Sequence, residues 1–246
     1  LVSYAKDTAG NLTNTLRKTF EIGEGVTLTL HMNGVKLEGT AGSPALTVSG
    51  GTLTVQGEAD LVSQNITASS ENPAPAVRVT SGSLVFEDAV TATGGKSSSS
   101  SVASAIEVKG GTVTFEGAVN ATAQKIDTAQ SGGVTLSPAV KVTGGTVTFK
   151  QKLTATGGIY NDNLNPTSKE FAVSAEGGTL DFQGDLDLNG GLKLTSSAVL
   201  KNKLTQGTFW AEVSGSRILV NQSTKVSALL AEGYAYALKN DNSKFT

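Results

Sequence analysis

The six residues Gly110 to Phe115, GGTVTF, return letter for letter at Gly144 to Phe149. Near-copies stand at Gly50 to Val55 (GGTLTV), Ser81 to Phe86 (SGSLVF) and Gly177 to Phe182 (GGTLDF). Units recurring at roughly 20–50 residues restrict a chain to stacked architectures, because each unit is too small to bury an apolar face alone. The same alanine precedes each unit, at Ala45, Ala76, Ala105, Ala139 and Ala172. Within every unit the apolar residues then alternate with polar ones.

The alternation sorts into columns. Leu46, Val77, Ile106, Val140 and Val173 form one, and Val48, Val79, Val108, Val142 and Ala175 the next. A second segment supplies Leu53, Leu84, Val113, Val147 and Leu180, then Val55, Phe86, Phe115, Phe149 and Phe182. A third supplies Ala59, Val90, Val119, Leu153 and Leu186, then Leu61, Ala92, Ala121, Ala155 and Leu188. Period-two segments are strands, so the pattern predicts an all-β solenoid, a parallel β-helix with three strands per turn. Successive turns of such a coil lie about 4.8 Å apart. The glycine pairs at Gly50–Gly51, Gly110–Gly111, Gly144–Gly145 and Gly177–Gly178 would occupy one corner, where a tight turn needs positive φ.

An earlier turn is legible in Val26 to Gly39 without the Phe, and a degraded later one in Ala198 to Val213, where Phe209 and Trp210 would close the coil. The expectation is roughly seven turns along an axis of about 34 Å. The domain reading is a junction with a preceding immunoglobulin-like module over 1–14, the coil over 15–222 and a C-terminal cap over 223–246. Ser223 as N-cap, Val226, Leu229 and Leu230 on one face and Gly233 as C′ residue predict a short helix in that cap. The chain begins at Leu1 rather than Met, which reads as a piece of a longer protein with further domains on either side.

Composition excludes several functions. With 19 Lys and Arg against 21 Asp and Glu, dispersed along the chain, there is no basic patch for nucleic acid or an anionic membrane. No apolar run is long enough to span a bilayer as a helix. Cysteine is absent, which removes disulfides, thiolate metal sites and cysteine nucleophiles. A single histidine, His31, excludes a multi-histidine metal site and reads as a surface or cap residue. No cofactor or metal is expected.

The spacing between units varies because insertions at 62–75, 93–104, 122–138 and 156–171 all fall between the third strand of one turn and the first of the next. They should project from one edge, where solenoids commonly bind partners. The serine run Ser97 to Ser101 reads as flexible filler. Tyr160, Asn161, Asp162 and Asn163 form the most ligand-like stretch, although one carboxylate carries too little charge for a calcium site. Glu87 and Glu116 should lie on adjacent turns at the strand spacing of about 4.8 Å, near the separation of the carboxyl pair in retaining glycosidases. Lys150 continues their column, which favours a solvated charge pair. Arg78, Glu107 and Lys141 form a column of alternating sign that reads as a charge ladder.

The stretches VTLTLHMNGVKL, PALTVSGGTLTV and KVSALLAEGYAY resemble the right-handed, pectate-lyase-like β-helix modules of large surface proteins from Gram-positive bacteria. The resemblance runs from about Thr19 to Lys239 and implies secretion, envelope attachment through regions outside this sequence, and adhesion or carbohydrate contact. The aspartate clusters of the catalytic relatives are missing. Two functions follow from this inventory. One is a non-catalytic extracellular module, a rigid spacer presenting its loop edge to a polysaccharide or host surface ligand. The other is a carbohydrate-active enzyme, a polysaccharide lyase or hydrolase, using Glu87 and Glu116.

Overall fold

A computed structural model describes residues 5–6, 12–32, 34–67, 72–98, 100–127, 133–160, 168–194, 198–202, 208–213 and 216–221. They form a parallel β-solenoid without a helix. The third strands of successive turns, from Thr15–Arg17 through Ala59–Val62 and Val119–Thr122 to Leu186–Asn189, make one seven-stranded sheet. First and second strands build a larger sheet of 14 strands.

The register follows the sequence columns. Ile106 pairs between Val77 and Val140, Val113 between Leu84 and Val147, and Val119 between Val90 and Leu153. A parallel ladder fixes this alignment because a slip of one residue would turn the entire apolar set outward. The interior is closed: Leu46, Leu84, Ile106, Val147, Leu153 and Phe182 are each fully buried. At its centre the rings of Phe86, Phe115, Phe149 and Phe182 stack with centroids 5.2, 5.0 and 5.4 Å apart.

The regular coil amounts to about four turns rather than the seven expected, and the reason lies in how the units at its ends depart from the repeat. The four turns that stack a Phe are the regular ones. Two turns before the first stacked Phe, Val26 and Leu28 remain exposed at 43% and 38%, so the Leu28 column position, interior from Leu53 to Leu180, lies open at the end of the stack. Beyond them, Leu192–Leu194 still pairs in parallel with Val173–Ala175, and Thr208–Val213 joins it. The next strand, Ser216–Asn221, then runs antiparallel to Thr208–Val213. The residues around Phe209 and Trp210 therefore form a hairpin edge rather than another turn of the coil.

The glycine corner is also less uniform than the repeat suggests. Leu46–Gln56 and Val77–Phe86 each run through it as one continuous strand, whereas the next turn divides into Ile106–Val108 and Thr112–Phe115. The predicted C-terminal cap, residues 223–246, with its short helix from Ser223 to Gly233, lies outside the described residues. Of the predicted junction, Ala5–Lys6 pairs antiparallel with Leu12–Thr13.

Candidate functional site

The loop edge contains a further short ladder that the three-strand pattern does not predict. As the chain leaves the third strand it makes one more step before looping out. Ile66 bridges Ser97 in parallel, and Lys125–Ile126 pairs in parallel with Ile159–Tyr160, which then receives Ser168–Lys169 antiparallel. Ile66, Ser97 and Ile126 are buried at this step. Side chains tie the steps together: Gln124 Nε2 donates to Asn65 Oδ1 at 2.6 Å and to the Gly94 carbonyl at 2.7 Å, while Lys96 Nζ donates to the Lys125 carbonyl at 2.9 Å.

The serine run is part of this framework rather than filler. Ser97 is fully buried, and its Oγ accepts the backbone N–H of Ser100 at 3.1 Å and of Ser101 at 2.8 Å. Those bonds close a tight turn that returns the chain so that Val102 pairs antiparallel with Lys96, and Ser101 then bridges Thr135 of the next loop. A loop pinned to the turn above it presents its side chains in fixed positions, which lowers the ordering cost of binding.

The signal for this edge was present as a second literal repeat, TATGG, at Thr91 to Gly95 and again at Thr154 to Gly158. A Cβ at Gly94 would stand 2.2 Å from the Ala103 carbonyl oxygen, and one at Gly157 would stand 2.2 Å from that of Glu170. Only glycine lets the returning loop cross the strand exit so closely.

Between the pinned loops and the outer face of the first strands lies a groove of about 210 Å³. Its floor is the column Arg78, Glu107 and Lys141, and its wall includes Asn72, Ser101, Ser104 and Ser137. Arg78 Nε donates to Glu107 Oε2 at 2.8 Å, Lys109 Nζ stands 3.5 Å from Glu107 Oε1, and Lys141 Nζ stands 3.8 Å from Glu176 Oε1. The column expected to be a charge ladder therefore carries its strongest contact at the Arg78–Glu107 step, inside the groove.

No protein family, curated protein or solved structure matches this chain. The site must then be weighed on its own chemistry. Glu87 and Glu116 do follow paired residues on adjacent turns, Phe86 and Phe115. Each carboxylate has a neighbour of its own: Gln56 Nε2 donates to Glu87 at 2.8 Å, and Lys150 Nζ lies 2.8 Å from Glu116. Both sit beside the corner, away from the groove residues. The Glu116 and Lys150 side chains are 36% and 42% exposed, and exposed pairs contribute little. Glu116→Gln is accordingly expected to change unfolding free energy by only a few tenths of a kcal/mol, measurable by urea titration against Lys150→Met.

Tyr160 is half-buried in the short strand of the loop edge, while Asn161, Asp162 and Asn163 lie outside the described residues. His31 is exposed at the end of Thr27–His31. Among the described residues no three His, Asp or Glu side chains cluster as metal ligands.

Proposed function

We propose that this chain is a non-catalytic extracellular module, a stiff β-coil that holds a loop-lined edge toward a polysaccharide or a host-surface ligand. The observation that carries the reading is the pinning of the loops from turn to turn, through Gln124 to Asn65, Lys96 to Lys125 and the bridge from Ser101 to Thr135. Loops that served only to connect turns would not need such cross-links, whereas a binding edge gains from fixed geometry. The right-handed, pectate-lyase-like form of the coil, its export and its attachment to a cell envelope belong to the same reading. They rest on the resemblance of the repeat spelling and on the strong right-handed preference of parallel crossovers.

The edge can be tested by replacing 122–138 and 156–171 with short Gly/Ser connections and measuring binding on a glycan array and on host matrix proteins. Loss of binding by a chain that still unfolds cooperatively, at a melting temperature lowered by the removal of buried Ile126 and Phe171, is the expected result. Binding that survives both replacements would reduce the chain to a spacer. The enzymatic reading rests on the adjacent-turn placement of Glu87 and Glu116, and it makes a separate prediction. A screen of uronic-acid and neutral polysaccharides would then release reducing ends or unsaturated products, and Glu116→Gln would abolish that release.

A further inference from the structure

A cavity, one buried hydroxyl residue, Ser104, and one loop cross-link, the Ser101–Thr135 bridge, meet at the groove above Glu107. Ser104 lines it and is only 6% exposed. Among the described residues its hydroxyl has no hydrogen-bonding partner. A hydroxyl buried without a partner destabilises the fold that carries it, so its retention at the wall of a groove calls for something that completes it.

The groove supplies the rest of a recognition set. Arg78 uses its Nε on Glu107, and a guanidinium has further N–H donors to offer. Glu107 Oε2 takes the Arg78 bond and Oε1 faces Lys109 at the longer 3.5 Å, so the carboxylate retains acceptor capacity. Donors and acceptors thus alternate along the floor, with Ser104, whose hydroxyl can act as either, among the wall residues. Adjacent hydroxyls on a saturated ring match such a surface, because each can donate to the carboxylate while accepting from the guanidinium or the serine.

The geometry points to this groove as a subsite for one neutral, polyhydroxylated ring bearing adjacent hydroxyls, such as a single hexose unit of a glycan chain. The inference rests on the binding-module reading and specifies where the ligand sits and what it is. The volume of about 210 Å³ is below the roughly 300–1,000 Å³ of sites that enclose drug-sized molecules, which suits one ring of a longer chain. Neutrality follows from the pairing on the floor. A uronate carboxylate would meet Glu107 between its own cation partners, and it would have to displace Glu107 from Arg78 or Glu176 from Lys141.

The test uses the full chain in calorimetric titrations with glucose-, mannose- and galactose-based neutral oligosaccharides and with oligogalacturonate. At least one neutral series should bind, with oligogalacturonate weaker. Glu107→Gln should weaken that binding about tenfold, the loss of a hydrogen bond to a charged group. Ser104→Ala should weaken it several-fold while leaving the melting temperature the same or higher, since the substitution removes an unpartnered hydroxyl; a structural role for Ser104 would lower it instead. Binding of oligogalacturonate alone, or neutral binding indifferent to both substitutions, would overturn the subsite. Indifference to these two substitutions combined with loss on loop replacement would sink this site and leave the loop-edge reading standing. Absence of binding to every glycan and matrix protein would sink both.

Discussion

Phe115→Ala is expected to lower the unfolding free energy by about 3–5 kcal/mol, read from equilibrium urea denaturation. The ring is fully buried and lies between Phe86 and Phe149, with centroids 5.2 and 5.0 Å away and planes within 2° and 7° of parallel. Truncation would uncover a face of each neighbour as well as remove the ring itself. Relaxation into the hole is restricted because the backbone fixes the spacing of the turns: Glu116 N–H bonds the Phe86 carbonyl at 2.8 Å, and Lys150 N–H bonds that of Phe115 at 2.9 Å. The cost of a cavity is highest where its walls cannot move. Phe182→Ala should cost less, because one face of Phe182 meets Phe149 at 5.4 Å while its other ladder neighbour is Asn202. Equal losses at both positions would mean that the stack contributes no more than separate ring burial, and a loss under about 1 kcal/mol at Phe115 would contradict an interior role altogether.

The interior of this coil was legible in the sequence because it obeys a local rule. In a strand, residues two apart share a face, so Val113 and Phe115 declare their direction without knowledge of any distant partner. The repeat then aligns them with Leu84 and Phe86, and the ladder pairs those same residues. The loop edge obeys no such rule. Ser97 is buried there because its hydroxyl closes a turn on Ser100 and Ser101, and a run of serines carries no apolar alternation to announce it. Asn65 and Gln124 meet across two turns, a contact that depends on loops of unequal length returning to the same edge. The groove is a product of both parts. Its floor, Arg78 and Glu107, follows from the column pattern, while its wall at Ser104 depends on where the loop folds back. Tyr160 sits in the paired part of its loop, and that pairing with Ile126 was likewise hidden by the shortness of the strands involved.

The second large effect is expected at the corner. Gly111→Ala should cost about 3 kcal/mol or more, because two penalties act together. Gly111 has φ of +76°, in the left-handed region, and a Cβ there would stand 2.4 Å from the Gly82 carbonyl oxygen and 2.8 Å from the Ser81 carbonyl carbon. The backbone penalty alone is about 1–2 kcal/mol for an L-residue. The remainder comes from parting two turns whose spacing the ladder holds, as Thr146 N–H bonds the Gly111 carbonyl at 2.9 Å on the other side. Gly82 and Gly145 repeat the arrangement, with φ of +81° and +77° and a Cβ 2.3 and 2.4 Å from the carbonyl oxygens of Gly51 and Gly111. Gly133 separates the two penalties: its φ is +86°, yet a Cβ there would have nothing within 4 Å, so Gly133→Ala should cost only the backbone share. Urea titrations of the two variants measure the difference directly. If they are equally destabilised, the corner glycines are required for their backbone angle alone; if Gly111→Ala is the worse by 1 kcal/mol or more, close contact between turns is what keeps the repeated GG in place.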